Sequence, residues 1–154
     1  KGYLIIHELR IRKPINMILD IDPSLYDTPM VKLSLQPIVE NAIQHGFKKS
    51  VDEFTITIRT KVIGSCLHVY VIDNGRGIPN DRLKEIREFI KPHRINKPEL
   101  RSDLGIGVTN VNRRIQLLFG DQYGLDLNSR VNEGTTVSIV LPYQKAHSET
   151  DQPA

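Results

Sequence analysis

The sequence contains one cysteine in 154 residues, which excludes an internal disulfide framework. No paired Cys and His residues stand at the spacing of a structural zinc site. The uninterrupted apolar runs are only a few residues long, far short of the roughly 20 residues that a membrane-spanning helix needs. The 21 basic and 18 acidic residues give a net charge of +3, too small to indicate nucleic-acid binding by itself. These absences favour a single domain of the cytosolic type.

The rest of the composition is that of an ordinary globular chain. Hydrophobic residues make up 39% and charged residues 25% of the sequence, and this length corresponds to one domain. We take residues 1–144 as that domain and residues 145–154 as a polar tail. The order of elements indicates an α+β sandwich in which helices cover one face of a mixed or antiparallel sheet. Periodicity predicts helices over 34–46, 81–90 and 104–118, and strands over 15–21, 54–62, 66–73, 125–130 and 135–141.

Local rules predict how the first helix begins and ends. Ser34 is a suitable N-cap, and Pro37 is best tolerated in a first turn, where its missing N–H costs little. Gly46 is a natural end for the helix. Elsewhere, the strand alternation predicts that Val62 faces the core, and the stripe of the last helix predicts the same for Leu118.

One acid stands in an unusual position. In the strand over 66–73, the residues Leu67, Val69 and Val71 share a face with Asp73. The alternation therefore places a carboxylate at the end of a strand on an otherwise apolar face. A buried carboxylate of this kind can accept a hydrogen bond from the exocyclic amino group of a purine, and it discriminates strongly because an unpaired buried acceptor is costly.

Glycine-rich segments accompany this acid. They are 74–77 (NGRG), 105–107 (GIG) and 133–136 (EGTT). Glycines let the backbone approach a flat ligand, and a helix N-terminus offers free N–H groups and a favourable dipole to phosphate oxygens. On the first helix, Asn41 supplies a neutral carbonyl oxygen that suits Mg²⁺, an ion that usually bridges phosphates.

In combination, these segments resemble the catalytic, ATP-binding domain of sensor histidine kinases, in the superfamily of gyrase, Hsp90, histidine kinases and MutL. The run at 35–46 (LQPIVENAIQHG) looks like that of the LytS/YesM-like bacterial subfamily. The resemblance covers about residues 1–143. It implies a Bergerat-type two-layer α/β sandwich of the α+β class, with a mixed, mostly antiparallel sheet covered on one face by helices and an ATP lid over about 79–104.

The resemblance also implies roles for individual residues. Asn41 becomes the Mg²⁺ ligand, and Glu40 and His45 beside it are further catalytic candidates. Asp73 becomes the acid that reads adenine. The remaining residues that the resemblance assigns to ATP binding are Gly75, Gly77, Gly105, Gly107 and Thr135.

Each assignment has a purely structural alternative. Asp73 is also a common turn former at a strand end. His45 either touches phosphate or the metal shell, or it is a cation that satisfies the dipole at the helix C-terminus. Glu40 either orients the metal's water shell or pairs with a lysine.

Basic residues near the lid have two interpretations as well. They either reach the γ-phosphate or belong to a solvated loop, which is the default for Lys91, His93, Arg94, Lys97 and Arg101. For Arg113 and Arg114, a surface role is the more common outcome. We interpret Cys66, His68 and Tyr70 as packing or surface residues.

The chain departs from the hydrolytic members of the superfamily at one position. Those members carry a general-base Glu four residues before the Asn, and here that position is Pro37. Glu40 points about 100° around the helix from Asn41. We therefore expect a protein-histidine kinase that transfers the γ-phosphoryl group of Mg·ATP rather than hydrolysing it. The alternatives are a gyrase- or MutL-like ATPase that drives a conformational change, and a non-catalytic nucleotide-binding module.

The phosphoacceptor histidine of the family is not found among the five histidines, since none has its sequence context. Residues 1–12 resemble the linker that follows the phosphoacceptor segment. The resemblance thus implies two partners, the kinase's own dimerisation and phosphoacceptor domain and a response regulator. It also implies a homodimer in the full-length protein, no nucleic-acid partner, and no direct membrane contact by this domain, which would be the cytoplasmic part of a membrane-anchored bacterial sensor.

Overall fold

The structure is a computed structural model that describes residues 15–25, 29–47, 53–91 and 103–143. The predicted linker, the polar tail and residues 92–102 of the predicted lid lie outside the described residues. In the part of the chain that is described, no helix has the length and apolarity that crossing a bilayer requires. The elements are β1 (Ile15–Asp20), a 3-10 turn (Pro23–Leu25), α1 (Pro29–Asn41), a π-helical turn (Ala42–Gly46), β2 (Phe54–Ile63), β3 (Cys66–Asp73), α2 (Asn80–Ile90), α3 (Asp103–Phe119), β4 (Gly124–Arg130) and β5 (Gly134–Pro142).

The strands form one five-stranded sheet in the order β1-β2-β3-β5-β4. β1 pairs with β2 in parallel, and the other neighbouring strands are antiparallel. The predicted mixed, mostly antiparallel sheet is therefore confirmed. β3 lies at its centre, so that Asp73 is paired with Ile56 on one side and with Thr135 on the other.

Helices cover one face of this sheet. On β3, Leu67, Val69 and Val71 are at most 2% exposed, as their alternation predicts. Ile38 of α1 and Ile86 of α2 belong to the same hydrophobic core. Burial of these side chains supplies the main favourable free energy of folding. The layering confirms the predicted α+β sandwich.

Helix α2 forms where the periodicity predicts it, one residue earlier than expected. Its apolar residues Leu83, Ile86 and Ile90 are 5%, 0% and 7% exposed. These side chains are part of the core, so the predicted lid is a packed helix as far as residue 90.

The first helix begins earlier than predicted. α1 starts at Pro29 instead of Ser34, and Pro37 lies inside the helix instead of in its first turn. An internal proline removes one backbone hydrogen bond and costs about 3 kcal/mol. Ile38 and Ile43 are each 1% exposed, and their burial offsets this cost. Tertiary packing overrides the local rule, while the predicted end at Gly46 is confirmed.

Two residues predicted to face the core are exposed, so those predictions are wrong. Leu118 is 67% exposed, because the buried side of α3 continues to Phe119, whose ring packs edge-on against Tyr123 at 6.4 Å between centroids. Val62 is 41% exposed. The partner strand β1 ends at Asp20, opposite Arg59, so the last residues of β2 extend beyond it.

Candidate functional site

A cavity of about 290 Å³ opens between the helices and the end of β3. Most of its wall is apolar, and a few polar side chains converge on it. This combination is typical of a site that encloses a flat ligand and orients it with a few polar contacts. The wall includes Ile38, Val71, Val108, Leu127 and Val137, and its polar members are Asn41, His45, Asp73, Arg76, Arg82 and Thr135.

The cavity brings together most of the residues that the sequence singled out. Some of them line it directly, and others lie behind the lining or outside it. The lining contains Asn41, His45, Asp73, Gly77 and Thr135, whereas Glu40, Gly75 and Gly107 are not part of it.

Asp73 is 6% exposed at the base of the cavity. The Gly75 N–H donates a hydrogen bond to its Oδ1 at 2.8 Å, so the carboxylate also shapes the turn that follows β3. Burial raises the pKa of Asp73 to about 6, although hydrogen bonds from the backbone of Gly75 and Thr135 oppose the shift. A buried carboxylate without a cationic partner is poised to accept a hydrogen bond from a ligand.

The turn after Asp73 packs so closely on its neighbours that glycine is required. A Cβ on Gly75 would lie 2.0 Å from the Gly46 carbonyl oxygen. Gly77 has a φ of +67°, and a Cβ there would lie 2.0 Å from the Arg130 carbonyl oxygen. The backbone of 75–77 is therefore wedged between the end of the first helical segment and the end of β4. These contacts explain why both positions are glycine, and the role of Gly75 and Gly77 in ATP binding stays a prediction.

A buried hydroxyl joins β4 to the same turn. The Ile78 N–H donates to Ser129 Oγ at 2.8 Å, and Ser129 Oγ donates to the Gly134 carbonyl at 2.8 Å. Ser129 Oγ also lies 2.9 Å from Thr135 Oγ1. Thr135 is thereby oriented on the wall of the cavity, next to the strand that carries Asp73.

Asn41 is the last residue of α1 and lines the same cavity. Its Nδ2 is buried and has no hydrogen-bond partner among the described residues. A Cβ on Gly107 would lie 2.4 Å from that Nδ2, so the early part of α3 lies directly against the amide. A buried amide donor without a partner costs about 1–3 kcal/mol, which indicates that a ligand completes this end of the cavity.

His45 lies on the π-helical turn and lines the cavity with Asn41. Arg76 holds this turn in place, because its Nε donates to the His45 carbonyl and its backbone N–H donates to the Gly46 carbonyl at 2.8 Å. The Asn132 N–H donates in turn to the Arg76 carbonyl at 2.8 Å. Arg76 therefore connects the turn after β3 with the π-helical turn and with the turn at Asn132.

Glu40 lies away from the lining, and Gly105 belongs to the start of α3. Glu40 Oε1 accepts a hydrogen bond from Gln36 Nε2 at 3.0 Å, on a side of α1 that does not line the cavity. Gly105 lies in the first turn of α3, two residues before Gly107, which packs against Asn41.

Sequence reasoning missed several residues that build the site. Asn74 holds the start of β2, since the Thr55 N–H donates to its Oδ1 at 2.8 Å and its Nδ2 donates to the Glu53 carbonyl at 3.1 Å. Ser129, Arg76 and Arg82 were not singled out either. The contacts of Arg76 with His45 and of Ser129 with Ile78 join residues far apart in the sequence, so only the polar-then-glycine pattern at Asn74 offered a local signal.

The other basic and polar candidates lie elsewhere. Lys91 is exposed and pairs with Glu88, and Arg113 and Arg114 are exposed on α3. His93, Arg94, Lys97 and Arg101 lie outside the described residues. The prediction of a packing or surface role is confirmed for the outer sheet face, where the rings of His68 and Tyr70 stack with centroids 6.3 Å apart and Cys66 is half-buried.

Comparison with known proteins identifies curated relatives of this chain. It is 33% identical to the sensor protein LytS of Bacillus subtilis over 94% of its length, covering 23% of that protein. It is 32% identical to the sensor histidine kinase YesM of Bacillus subtilis, over 92% of this chain and 22% of that protein. The chain thus spans about a quarter of the length of these relatives.

The fold agrees with solved structures. The catalytic domain of histidine kinase ThkA matches with a TM-score of 0.61 at 21% identity, covering 91% of this chain and 86% of that domain. The likeness confirms the Bergerat-type sandwich predicted from the sequence. A family profile described as histidine kinase-, DNA gyrase B- and HSP90-like ATPase matches residues 27–145, which is most of the chain. The protein therefore belongs to the histidine kinase-, DNA gyrase B- and HSP90-like ATPase family, with LytS and YesM sensors among its relatives.

Proposed function

We propose that this chain binds Mg·ATP in the cavity and transfers the γ-phosphoryl group to a histidine on a separate dimerisation domain. The observation that carries the proposal is that two polar groups on the wall of one cavity have hydrogen-bonding capacity left for a ligand. Asp73 offers a buried acceptor, and Asn41 Nδ2 offers a buried donor that has no partner among the described residues.

Adenine recognition would rest on Asp73. Its ionised carboxylate accepts a hydrogen bond from the exocyclic amino group of the base, and the apolar wall around Val71 and Val137 excludes water from that bond. A purine that carries a keto oxygen in place of the exocyclic amino group would bring one acceptor against another, the Asp73 carboxylate, and no hydrogen bond would form. Guanine is rejected because the buried carboxylate would lose its partner.

The residues around Asn41 fit a metal-bound polyphosphate. Among the described residues, no cluster of three or more His, Cys, Asp or Glu could hold a metal by itself. Mg²⁺ is typically held by one or two protein oxygens together with phosphates and water, and the Asn41 amide supplies such an oxygen. When bound, Mg²⁺ would neutralise negative charge on the phosphates. Gly105 and Gly107 at the start of α3 would let backbone N–H groups approach the phosphates.

Transfer to a protein side chain is favoured over hydrolysis. Pro37 stands one helical turn before Asn41 and cannot act as a base. Glu40 is hydrogen-bonded to Gln36 outside the cavity lining. In the transfer, an acceptor imidazole nitrogen bonds to the γ-phosphorus while the bond from phosphorus to the bridging oxygen breaks, and ADP leaves with the electron pair. Catalysis would consist of positioning and charge neutralisation.

The partners follow from the same proposal. The acceptor histidine would belong to the kinase's own dimerisation domain, and the phosphoryl group would pass onward to a response regulator. The relatives named as sensors support this order of partners. The full-length protein would act as a membrane-anchored homodimer, with this domain in its cytoplasmic part.

Phosphotransfer to a supplied acceptor tests the proposal. The chain is incubated with ATP labelled at the γ-phosphate, alone and with the dimerisation domains of LytS and YesM. We expect label on an acceptor domain and none on this chain. Label on the chain itself, rapid release of labelled phosphate into solution, or nucleotide binding without transfer to either acceptor would each contradict it. The second outcome would favour the ATPase alternative and the third the non-catalytic module.

A further inference from the structure

We infer that Arg82 binds the phosphate chain of the nucleotide, with its Nη2 donating a hydrogen bond to a phosphate oxygen. The inference rests on the proposed function and assigns a role to a residue that neither the glycine-rich segments nor the N-terminal helix contains. It concerns the first turn of α2, on the wall of the cavity.

Arg82 stands in an electrostatically unfavourable position. It lies in the first turn of α2, where the helix dipole places partial positive charge and favours acidic residues. Its side chain is only 24% exposed, and its Nη1 pairs with Glu85. Its Nη2 is buried and has no hydrogen-bond partner among the described residues. Leaving a charged donor buried and unpaired costs more than leaving a neutral one, so the arrangement favours an incoming anion.

The position of α2 beside α3 indicates which part of the nucleotide this anion is. The Asn112 Nδ2 of α3 donates to the Ile90 carbonyl at the end of α2 at 2.7 Å. At the other end, Arg82 lines the cavity together with Val108, the residue that directly follows Gly107.

Arg82 is not a partner of the acid at the base of the cavity. The ion pair that Arg82 makes among the described residues is with Glu85, and Asp73 Oδ1 accepts from the Gly75 backbone N–H. The other arginine of the lining, Arg76, has its Nε bonded to the His45 carbonyl. Among the arginines of the described lining, Arg82 is therefore the one with a buried donor that has no hydrogen-bond partner. Guanidinium groups match phosphate oxygens in charge and in geometry.

A ligand series with increasing phosphate content tests the inference. Adenosine, ADP and a non-hydrolysable ATP analogue are titrated against the wild type, Arg82→Gln and Arg82→Lys, with amide chemical shifts as the readout. For Arg82→Gln we expect about tenfold weaker binding of ADP and the ATP analogue. Adenosine binding should change by less than about twofold. Arg82→Lys keeps the charge but not the planar group, so its losses should be smaller than those of Arg82→Gln.

Lys84→Gln is the matched control, because Lys84 is an exposed cation on the same helix and its loss should leave all three affinities unchanged. Unfolding midpoints show whether each variant remains folded. An equal loss for adenosine and ADP, or no loss for either, would overturn the inference and leave the proposed function standing. A wild-type chain that bound none of these ligands would overturn the proposed function and the inference together.

Discussion

The cavity wall includes Asp73 and Asn41, and we call the surroundings of these residues the Asp73 end and the Asn41 end. The two are built in different ways. Around Asp73, backbone packs on backbone, with Gly75 against the Gly46 carbonyl and Gly134 against the Asp73 carbonyl, where added Cβ atoms would lie 2.0 and 1.9 Å from those oxygens. Around Asn41 the contact is between its side chain and Gly107, and the buried Nδ2 of Asn41 has no partner among the described residues.

This difference indicates which end of the cavity is complete without a ligand. The Asp73 end is held by hydrogen bonds between strands, so its shape is part of the fold. The Asn41 end has polar groups whose desolvation is not compensated within the described residues, so a ligand would stabilise it by supplying partners. Substitutions of the closely packed glycines at the Asp73 end should therefore affect folding, and substitutions at the Asn41 end should affect binding. Asp73 itself faces the ligand, so its substitution should affect both.

The largest effect is expected for Gly75→Ala, at the Asp73 end. The new Cβ would collide with a backbone oxygen, and relief requires two segments of the fold to move apart. We expect the free energy of unfolding to fall by about 3 kcal/mol or more, measured by urea denaturation.

Gly64→Ala is a suitable control for that variant. Gly64 has a φ of +59° and no atom within 4 Å of the added Cβ, so it should lose only about 1 kcal/mol. Equal losses for the two variants would mean that the close backbone contact at Gly75 does not hold the site together.

The next largest effect is expected for Asp73→Asn, which should act in opposite directions on binding and on folding. The amide would present a donor to the adenine amino group, so ATP affinity should fall by at least about a hundredfold in a calorimetric titration. Removal of the buried charge should raise the free energy of unfolding at pH 7 by up to about 3 kcal/mol. Unchanged nucleotide affinity would contradict the role of Asp73 in reading adenine.

The pH dependence of stability and of ATP affinity in the wild-type protein tests the same carboxyl group. Its pKa in the folded protein, about 6, is above the ordinary value of 3.8, so the folded state binds the proton more tightly than the unfolded state. Wild-type stability should therefore fall as the pH rises between these two values and level off above pH 6, a slope that Asp73→Asn should lack. ATP affinity should change in the opposite sense and weaken below pH 6, because only the ionised carboxylate accepts from the base.

A smaller effect is expected for Gly107→Ala, at the Asn41 end. Its Cβ would meet Asn41 Nδ2, the end of a side chain that can rotate away, so stability should change by no more than about 1 kcal/mol. Displacement of the amide should weaken binding of the ATP analogue about tenfold in the presence of Mg²⁺. Titrations with and without Mg²⁺ measure this, and a loss of folding instead of affinity would break the contrast between the two ends.

The smallest effect is expected for Glu40→Gln. Glu40 is hydrogen-bonded to Gln36 and does not line the cavity, so ATP hydrolysis and phosphotransfer should each change by less than about twofold. Steady-state release of labelled phosphate is the measurement. Hydrolysis that is appreciable in the wild type and lost in the variant would instead favour an ATPase and give Glu40 a direct role.

Local sequence patterns predicted much of this molecule. The alternation in β3 predicted the buried face and placed Asp73 on it, and the spacing in α2 predicted Leu83, Ile86 and Ile90 as core residues. The start of α1 was predicted wrongly at Ser34, because the proline rule describes an isolated helix and burial of Ile38 outweighs it. Leu118 was predicted wrongly because a stripe alone does not show where the neighbouring layer ends.

The sequence alone determined the elements, the buried acid and the resemblance to an ATPase family, since these depend on neighbouring residues and on short motifs. Tertiary structure decided which segments surround the acid and which cation reaches the cavity. The Gly75 contact with Gly46, the Ser129 bridge and the position of Arg82 on the cavity wall all depend on strand order and helix packing. Such contacts join residues far apart in the chain, and their free energy arises only when the whole core is formed.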